Sequence, residues 1–158
     1  MGKLKTIYLA ILNRKENIIR RDEIIELIEK YEKEIKKINI KNALWYLSRQ
    51  NYIKRIFLDY YYINSIEERE TKVCKYEDKE LLFSVLSKLN IKWYAGLSYA
   101  LYLSGENWQV PNTLSIINNR FSGLKKILDI KESFYRIKEK LIFGLKKAKT
   151  KNNIRYKY

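Results

Sequence analysis

The stretch Ile40–Ile63, IKNALWYLSRQNYIKRIFLDYYYI, decides how this chain folds. Its first half places Ile40, Ala43, Leu44 and Leu47 on one side of a 3.6-residue period, which predicts a helix from Ile40 to about Gln50. Asn39 is a suitable N-cap, because its side-chain oxygen can accept from the unpaired amides of the first turn. Asn51 falls where the chain must reverse, and asparagine tolerates the left-handed conformation better than other non-glycine residues. Tyr52–Phe57 and Tyr60–Ile63 follow, rich in aromatic and β-branched side chains, with Leu58-Asp59 between them, the pattern of a hairpin. With the apolar stripe turned inward, Lys41, Asn42, Trp45, Tyr46 and Arg49 share the outward sides of the helix, and the hairpin carries Lys54 and Arg55. A basic helix beside a basic hairpin suits a polyanion.

Working outward, Leu4, Ile7, Tyr8, Ile11 and Leu12 predict a first helix. Ile18-Ile19 is short enough for a small edge strand. A second helix is expected from about Asp22 to Glu34, with Ile24, Leu27, Ile28, Tyr31 and Ile35 buried. Asp22 and Glu23 suit the positive end of its dipole. Lys36-Lys37 makes a basic connection to the third helix. The order helix, short strand, helix, helix, hairpin is that of a winged helix-turn-helix, placed at residues 1–65.

Residues 64–75 are polar and charged and mark the expected boundary. Beyond it, residues 76–148 predict a small mixed domain, so the fold class is α+β. An amphipathic helix is expected at about Asp78–Leu89, and a mostly buried helix from Trp93 to Ser104. Three β segments follow at Thr113–Asn118, Ser133–Lys138 and Leu141–Leu145. In the second of these, Phe134, Arg136, Lys138 and Lys140 alternate with their neighbours, predicting a basic, wet face. The tail Lys146–Tyr158 shows no core pattern.

The 158 residues carry a formal net charge of +15. The charge is unevenly spread: 14 basic and 8 acidic side chains in residues 1–65, 6 and 7 in 66–112, and 13 and 3 in 113–158. Two basic blocks thus flank a nearly neutral middle, and a nucleic-acid partner accounts for them through counterion release. Cys74 is the only cysteine, which precludes an intramolecular disulfide and favours a reducing, cytoplasmic setting. No apolar run approaches a membrane span, so no membrane partner is expected.

Catalysis is disfavoured by the chemistry available. The absence of histidine removes the commonest general base and metal ligand. Cys74 has no histidine to pair with and lies in the expected boundary segment, no serine sits in a nucleophile motif, and the five glycines are isolated, giving no phosphate loop. Two acidic clusters, Glu67, Glu68, Glu70 and Glu77, Asp78, Glu80, fit a solvated linker and a helix first turn better than a metal site. No catalytic residue, metal or cofactor is expected.

In a helix-turn-helix the recognition helix enters the major groove. Asn42 can read adenine bidentately, and Lys41 or Arg49 can meet guanine or phosphate. Lys36 and Lys37 are placed for the DNA backbone, and Lys54 and Arg55 for phosphates or the minor groove. Trp45 and the three tyrosines Tyr60–Tyr62 are expected to pack rather than stack on bases, with alternate tyrosines pointing inward.

Ala43–Ile63, then KWYAGLSYALYLSGE (Lys92–Glu106), QVPNTLSIIN (Gln109–Asn118) and SFYRIKEKLIFGLKK (Ser133–Lys147), together resemble the AbiEi family of antitoxins and transcriptional regulators. That resemblance covers most of the chain. It implies an N-terminal winged helix that binds operator DNA, with contacts at Asn42, Tyr46, Arg49, Lys54 and Arg55. It also implies an antitoxin domain after about Tyr76 that neutralises a nucleotidyltransferase-like toxin, autorepression of the operon, and two copies on an inverted repeat. Glycines usual at the family's two turns are replaced here by Asn51 and Asp59, and the family's continuation beyond the basic strand pair makes this a short or truncated member. The expectation is a sequence-specific regulator of transcription that binds double-stranded DNA. The alternatives are an antitoxin module that binds its toxin without specific DNA contact, and architectural DNA binding through residues 113–158.

Overall fold

A computed structural model describes residues 2–32 and 40–158. The expected N-cap Asn39, the buried Ile35 and the basic pair Lys36-Lys37 lie outside the described residues. The chain is α+β and divides into two units, Met1–Lys75 and Tyr76–Tyr158.

In the first unit, α1 (Gly2–Leu12) leads to β1 (Ile18–Arg20), α2 (Arg21–Glu32), α3 (Ile40–Arg49), β2 (Ile53–Phe57), β3 (Tyr60–Ile63) and α4 (Ile66–Thr71). The strands form an antiparallel sheet in the order β1-β3-β2, with Ile19 opposite Tyr61 and Lys54 opposite Tyr62. Ile7, Ile11, Ile24, Ile28, Ala43 and Leu47 join Ile19, Ile53, Tyr61 and Ile63 in one core between the three helices and the sheet. Each such side chain contributes on the order of 2 kcal/mol by leaving water, so the apolar stripes fix which way every helix faces.

β3 departs from simple alternation: Tyr60, Tyr61, Tyr62 and Ile63 are all buried. Tyr61 and Ile63 face the core, whereas Tyr62 meets α4, folded from the stretch expected to be a boundary, through its hydrogen bond to Glu68. Ser65 caps α4 by accepting from Glu68 N, and the Glu68 carboxylate accepts in turn from Ser65 N, Lys75 N and the Tyr62 hydroxyl. Burial pushes this carboxyl up, but those hydrogen bonds outweigh it and hold it below the ordinary range. The Arg69 guanidinium lies 3.8 Å from the centroid of the Tyr52 ring.

The second unit opens with α5 (Asp78–Lys88), whose Leu81, Leu82, Phe83, Val85 and Leu86 are buried. The segment expected to be one helix from Trp93 to Ser104 is instead β4 (Trp93–Ala95), a turn at Gly96, and α6 (Leu97–Leu103). Gly96 decides this break: a Cβ there would stand 2.5 Å from Ile117 Cγ1, so the backbone can approach β5 only without a side chain. β5 (Thr113–Asn118), β6 (Gly123–Ile127) and β7 (Ile130–Arg136) complete a sheet ordered β4-β5-β7-β6, in which β5 and β7 run parallel.

Three further expectations are corrected. β6 was not expected: its residues are exposed except Ile127, so no alternation betrays it. Phe134 is buried, not part of a wet basic face, because β7 lies inside the sheet and turns Glu132 and Phe134 inward. Leu141–Leu145 is no strand; a 3₁₀ turn, Glu139–Leu141, stands there, and the tail forms a hairpin of β8 (Lys147–Lys149) and β9 (Arg155–Lys157). Tyr156 anchors that hairpin, buried and stacked 4.8 Å from Phe83.

Candidate nucleic-acid interface

The third helix presents two faces. Ala43, Leu44 and Leu47 are buried against the core, and Ile40 packs beside them. Lys41, Asn42, Trp45, Tyr46, Ser48 and Arg49 are exposed. No acidic side chain occurs between Ile40 and Phe57, so the field on this side of the helix and on β2 is positive.

The outward residues are not independent. Trp45 and Tyr46 are about half exposed, at 52% and 45%, and their rings meet edge-on at 4.8 Å. The Arg49 guanidinium lies over Trp45, 4.8 Å from the ring centroid. Stacking of this kind contributes about 0.5–1 kcal/mol at an exposed site, and leaves the in-plane N–H donors of the guanidinium directed away from the ring. Trp45 was placed on the outward sides of the helix and expected to pack rather than stack on bases. It stays exposed and forms a shelf for Arg49, four residues on, a spacing that permits the contact without specifying it.

α3 ends at a reversal that its sequence specifies. Tyr52 N donates to Leu47 O and Asn51 N to Ser48 O, while Asn51 itself takes φ 55°, the left-handed conformation expected of it. Asn64 Nδ2 donates to Asn51 O at 2.9 Å, tying the end of β3 to this corner. The helix and the hairpin are therefore fixed to each other by backbone and amide contacts.

On the hairpin, Lys54 is half-buried and Arg55 exposed. Register slips between Arg55 and Phe57, a bulge that re-aims the side chains beside it. Arg55 Nε donates to Leu58 O at 3.0 Å, which leaves its terminal nitrogens outward. The left-handed residue of this turn is Leu58, at φ 52°, not Asp59. A leucine pays roughly 1–2 kcal/mol in that conformation, and the Arg55 hydrogen bond to its carbonyl helps hold it.

Of the eight sequence-derived contact residues, Lys41, Asn42, Tyr46 and Arg49 share the outward side of α3, and Lys54 and Arg55 lie on β2 of the same unit. Lys36 and Lys37 are outside the described residues. Among the described residues no group of three or more acidic, histidine or cysteine side chains comes together, and no helix is long and apolar enough to cross a membrane. The acidic clusters of the sequence resolve differently from expectation: Glu68 and Glu80 are buried hydrogen-bond acceptors rather than solvated charges. This side of the unit can place cations and amide or hydroxyl groups against a phosphate-bearing surface, with one arginine shelved on Trp45. A scan against protein-family models gives no match for this sequence, and neither does a search of the curated proteins.

Proposed function

We propose that the first unit is a winged helix-turn-helix and that the protein is a sequence-specific, double-stranded-DNA-binding regulator of transcription, of the autorepressing antitoxin type. The observation that carries this reading is the outward side of α3. Lys41, Asn42, Tyr46 and Arg49 stand together there, no acid lies on the helix, and Lys54 and Arg55 lie on the hairpin beyond the Asn51 corner. In this role α3 occupies the major groove, Arg49 and Asn42 read base edges, and Lys54 and Arg55 track phosphates. The protein works by occupying its own promoter, with two copies on an inverted repeat, and needs neither cofactor nor catalytic chemistry.

Gel shifts with the chain's own upstream region and with a random duplex, at several salt concentrations, test the reading. Arg49→Ala should weaken operator binding by about 1–3 kcal/mol and relax specificity, whereas Lys54→Gln should weaken all duplexes alike and reduce the salt slope by about one. Equal binding of operator and random duplex at every salt concentration refutes it.

A second reading, an antitoxin module that holds a nucleotidyltransferase-like toxin, draws on the second unit. Trp108 and Val110 are exposed there, Trp108 at 86%, as are Leu97 and Leu101 on α6. Exposed apolar side chains of this size mark partner surfaces when they are contiguous. Co-expression with such a toxin should give a complex that Trp108→Ser weakens; no complex excludes this role.

A further inference from the structure

The C-terminal hairpin gathers its charge on one face. β8 and β9 pair so that Lys147 stands opposite Lys157 and Lys149 opposite Arg155, with Ala148 opposite Tyr156 between them. Successive side chains alternate across a strand, so this register divides the ribbon in two. Ala148 and Tyr156 share the inward face, where Tyr156 is buried and stacked on Phe83. The four cations share the opposite face, and all four are exposed. Neighbours along each strand are about 7 Å apart, and partners across the strands about 5 Å apart at Cβ. No acidic side chain occurs from Lys140 to Tyr158. None of the four forms an ion pair among the described residues.

Such an array opposes its own assembly. Like charges directly opposite one another destabilise a strand pair, and a two-stranded sheet is marginal to begin with. Contacts beneath the ribbon and at its ends hold it. Besides the Tyr156 stack, Asn152 donates through its backbone and side-chain nitrogens to the buried Glu80 carboxylate. Thr150 N donates to Ile154 O, and Lys146 and Tyr158 exchange backbone hydrogen bonds. The backbone that carries the cations is therefore ordered before any ligand arrives, which lowers the cost of binding one. The face holds no aromatic side chain, so it lacks the stacking platform of a single-strand binder. It holds no apolar side chain to enter a bilayer. Rows of lysine and arginine neutralise the phosphates of a duplex without reading its bases.

The geometry points to the outward face of this hairpin as a second, sequence-independent contact for duplex DNA, with Lys147, Lys149, Arg155 and Lys157 neutralising backbone phosphates. Bound phosphates relieve the like-charge pairs, so duplex and hairpin stabilise each other. The face belongs wholly to the second unit, and only the choice of DNA as the duplex rests on the reading of α3.

Fluorescence anisotropy of the full chain with a random DNA duplex, at several salt concentrations, tests it. Changing all four residues to glutamine should weaken the duplex at least about tenfold and lower the slope of log K against log salt by about 3–4. A charge-matched variant, Lys125→Gln/Lys126→Gln/Lys131→Gln/Lys138→Gln, removes four exposed lysines elsewhere in the same unit and should lower the slope by less than about one. The hairpin variant should melt no lower than wild type, since it removes two repulsive pairs, and this separates a lost contact from a lost fold. The drop in slope should persist in an Arg49→Ala background. Equal binding of operator and random duplex would thus refute the α3 reading and leave the hairpin contact standing. The proposal is overturned if the hairpin variant keeps the wild-type slope or if the charge-matched variant lowers it equally. It is also overturned if the hairpin changes weaken binding to phosphatidylserine vesicles but not to the duplex.

Discussion

Replacing Glu132 with glutamine should make the protein more stable in alkali while leaving it nearly unchanged in acid. Glu132 lies in β7 between β5 and β6 and has no exposed surface. One carboxylate oxygen accepts from Ile127 N at 3.1 Å, and the other, Oε1, has no hydrogen-bond partner among the described residues. Burial, reinforced by the nearby Asp78 charge, pushes the carboxyl from 4.5 up to about 8. Between those two values the folded chain holds a proton that the unfolded chain has lost. Stability is therefore fully present below about pH 4.5, falls as the pH rises, and levels off above about 8. At about 1.4 kcal/mol per pH unit the loss is on the order of 3–5 kcal/mol. Glutamine keeps an acceptor for Ile127 N and does not ionise. Glu132→Gln should accordingly match wild type within about 1 kcal/mol at pH 5 and exceed it by on the order of 3–5 kcal/mol at pH 9. Urea unfolding followed by fluorescence at half-unit pH steps measures the difference, from which other titrating groups cancel. The carbon-13 carboxyl shift of Glu132 gives its titration directly. A difference that stays constant from pH 5 to 9, or a carboxyl that titrates near 4.5, would refute the reasoning.

Other outcomes follow from the same structure. Glu68→Gln leaves one oxygen for the Tyr62, Ser65 and Lys75 donors and should cost about 1–3 kcal/mol at neutral pH. Because this carboxyl is held low in the fold, wild type loses the advantage in acid, and the two unfolding curves should converge as the pH falls below the ordinary carboxylate range. Gly96→Ala drives a Cβ into Ile117 Cγ1 and should cost about 1–3 kcal/mol, seen as a lowered Tm. Trp45→Ala removes the shelf under Arg49; operator affinity should fall by about 0.5–1 kcal/mol with no loss of Tm, since the ring is half exposed.

What the sequence revealed follows from where each signal resides. The α3 stripe at Ala43, Leu44 and Leu47 is legible because burial of one helical face imposes a period, and Asn51 because the left-handed corner favours its side chain. Glu68, Glu80 and Glu132 were opaque: a charged residue is buried only when distant donors or a covering strand permit it, and neither is visible locally. β6 carries Lys125 and Lys126 at a sheet edge with water on most of its surface, so alternation is absent. The break at Gly96 depends on Ile117, twenty-one positions away. Tyr156 likewise acquires its place only from Phe83, so the tail resembles disorder until the fold exists. At the interface, Arg49 was legible as outward, but its support by Trp45 needed the geometry of two side chains.

The parallel pairing of β5 with β7 has a kinetic consequence. Residues 123–136 can close early as the β6–β7 hairpin, through the two-residue turn at Leu128-Asp129. β5 precedes that hairpin in the chain yet must dock alongside its second strand, and β4 can join only after β5 is seated. Search over such distant partners is slower than closure of local ones. The second unit should thus complete its sheet after the hairpin forms, with burial of Trp93 as a late event in stopped-flow refolding. During that interval Leu114, Ile116 and Ile117 of β5, buried in the finished fold, lie uncovered. Newly made chains are then at their most adhesive, and conditions that lengthen the wait should lower the yield of folded protein more than the final stability suggests.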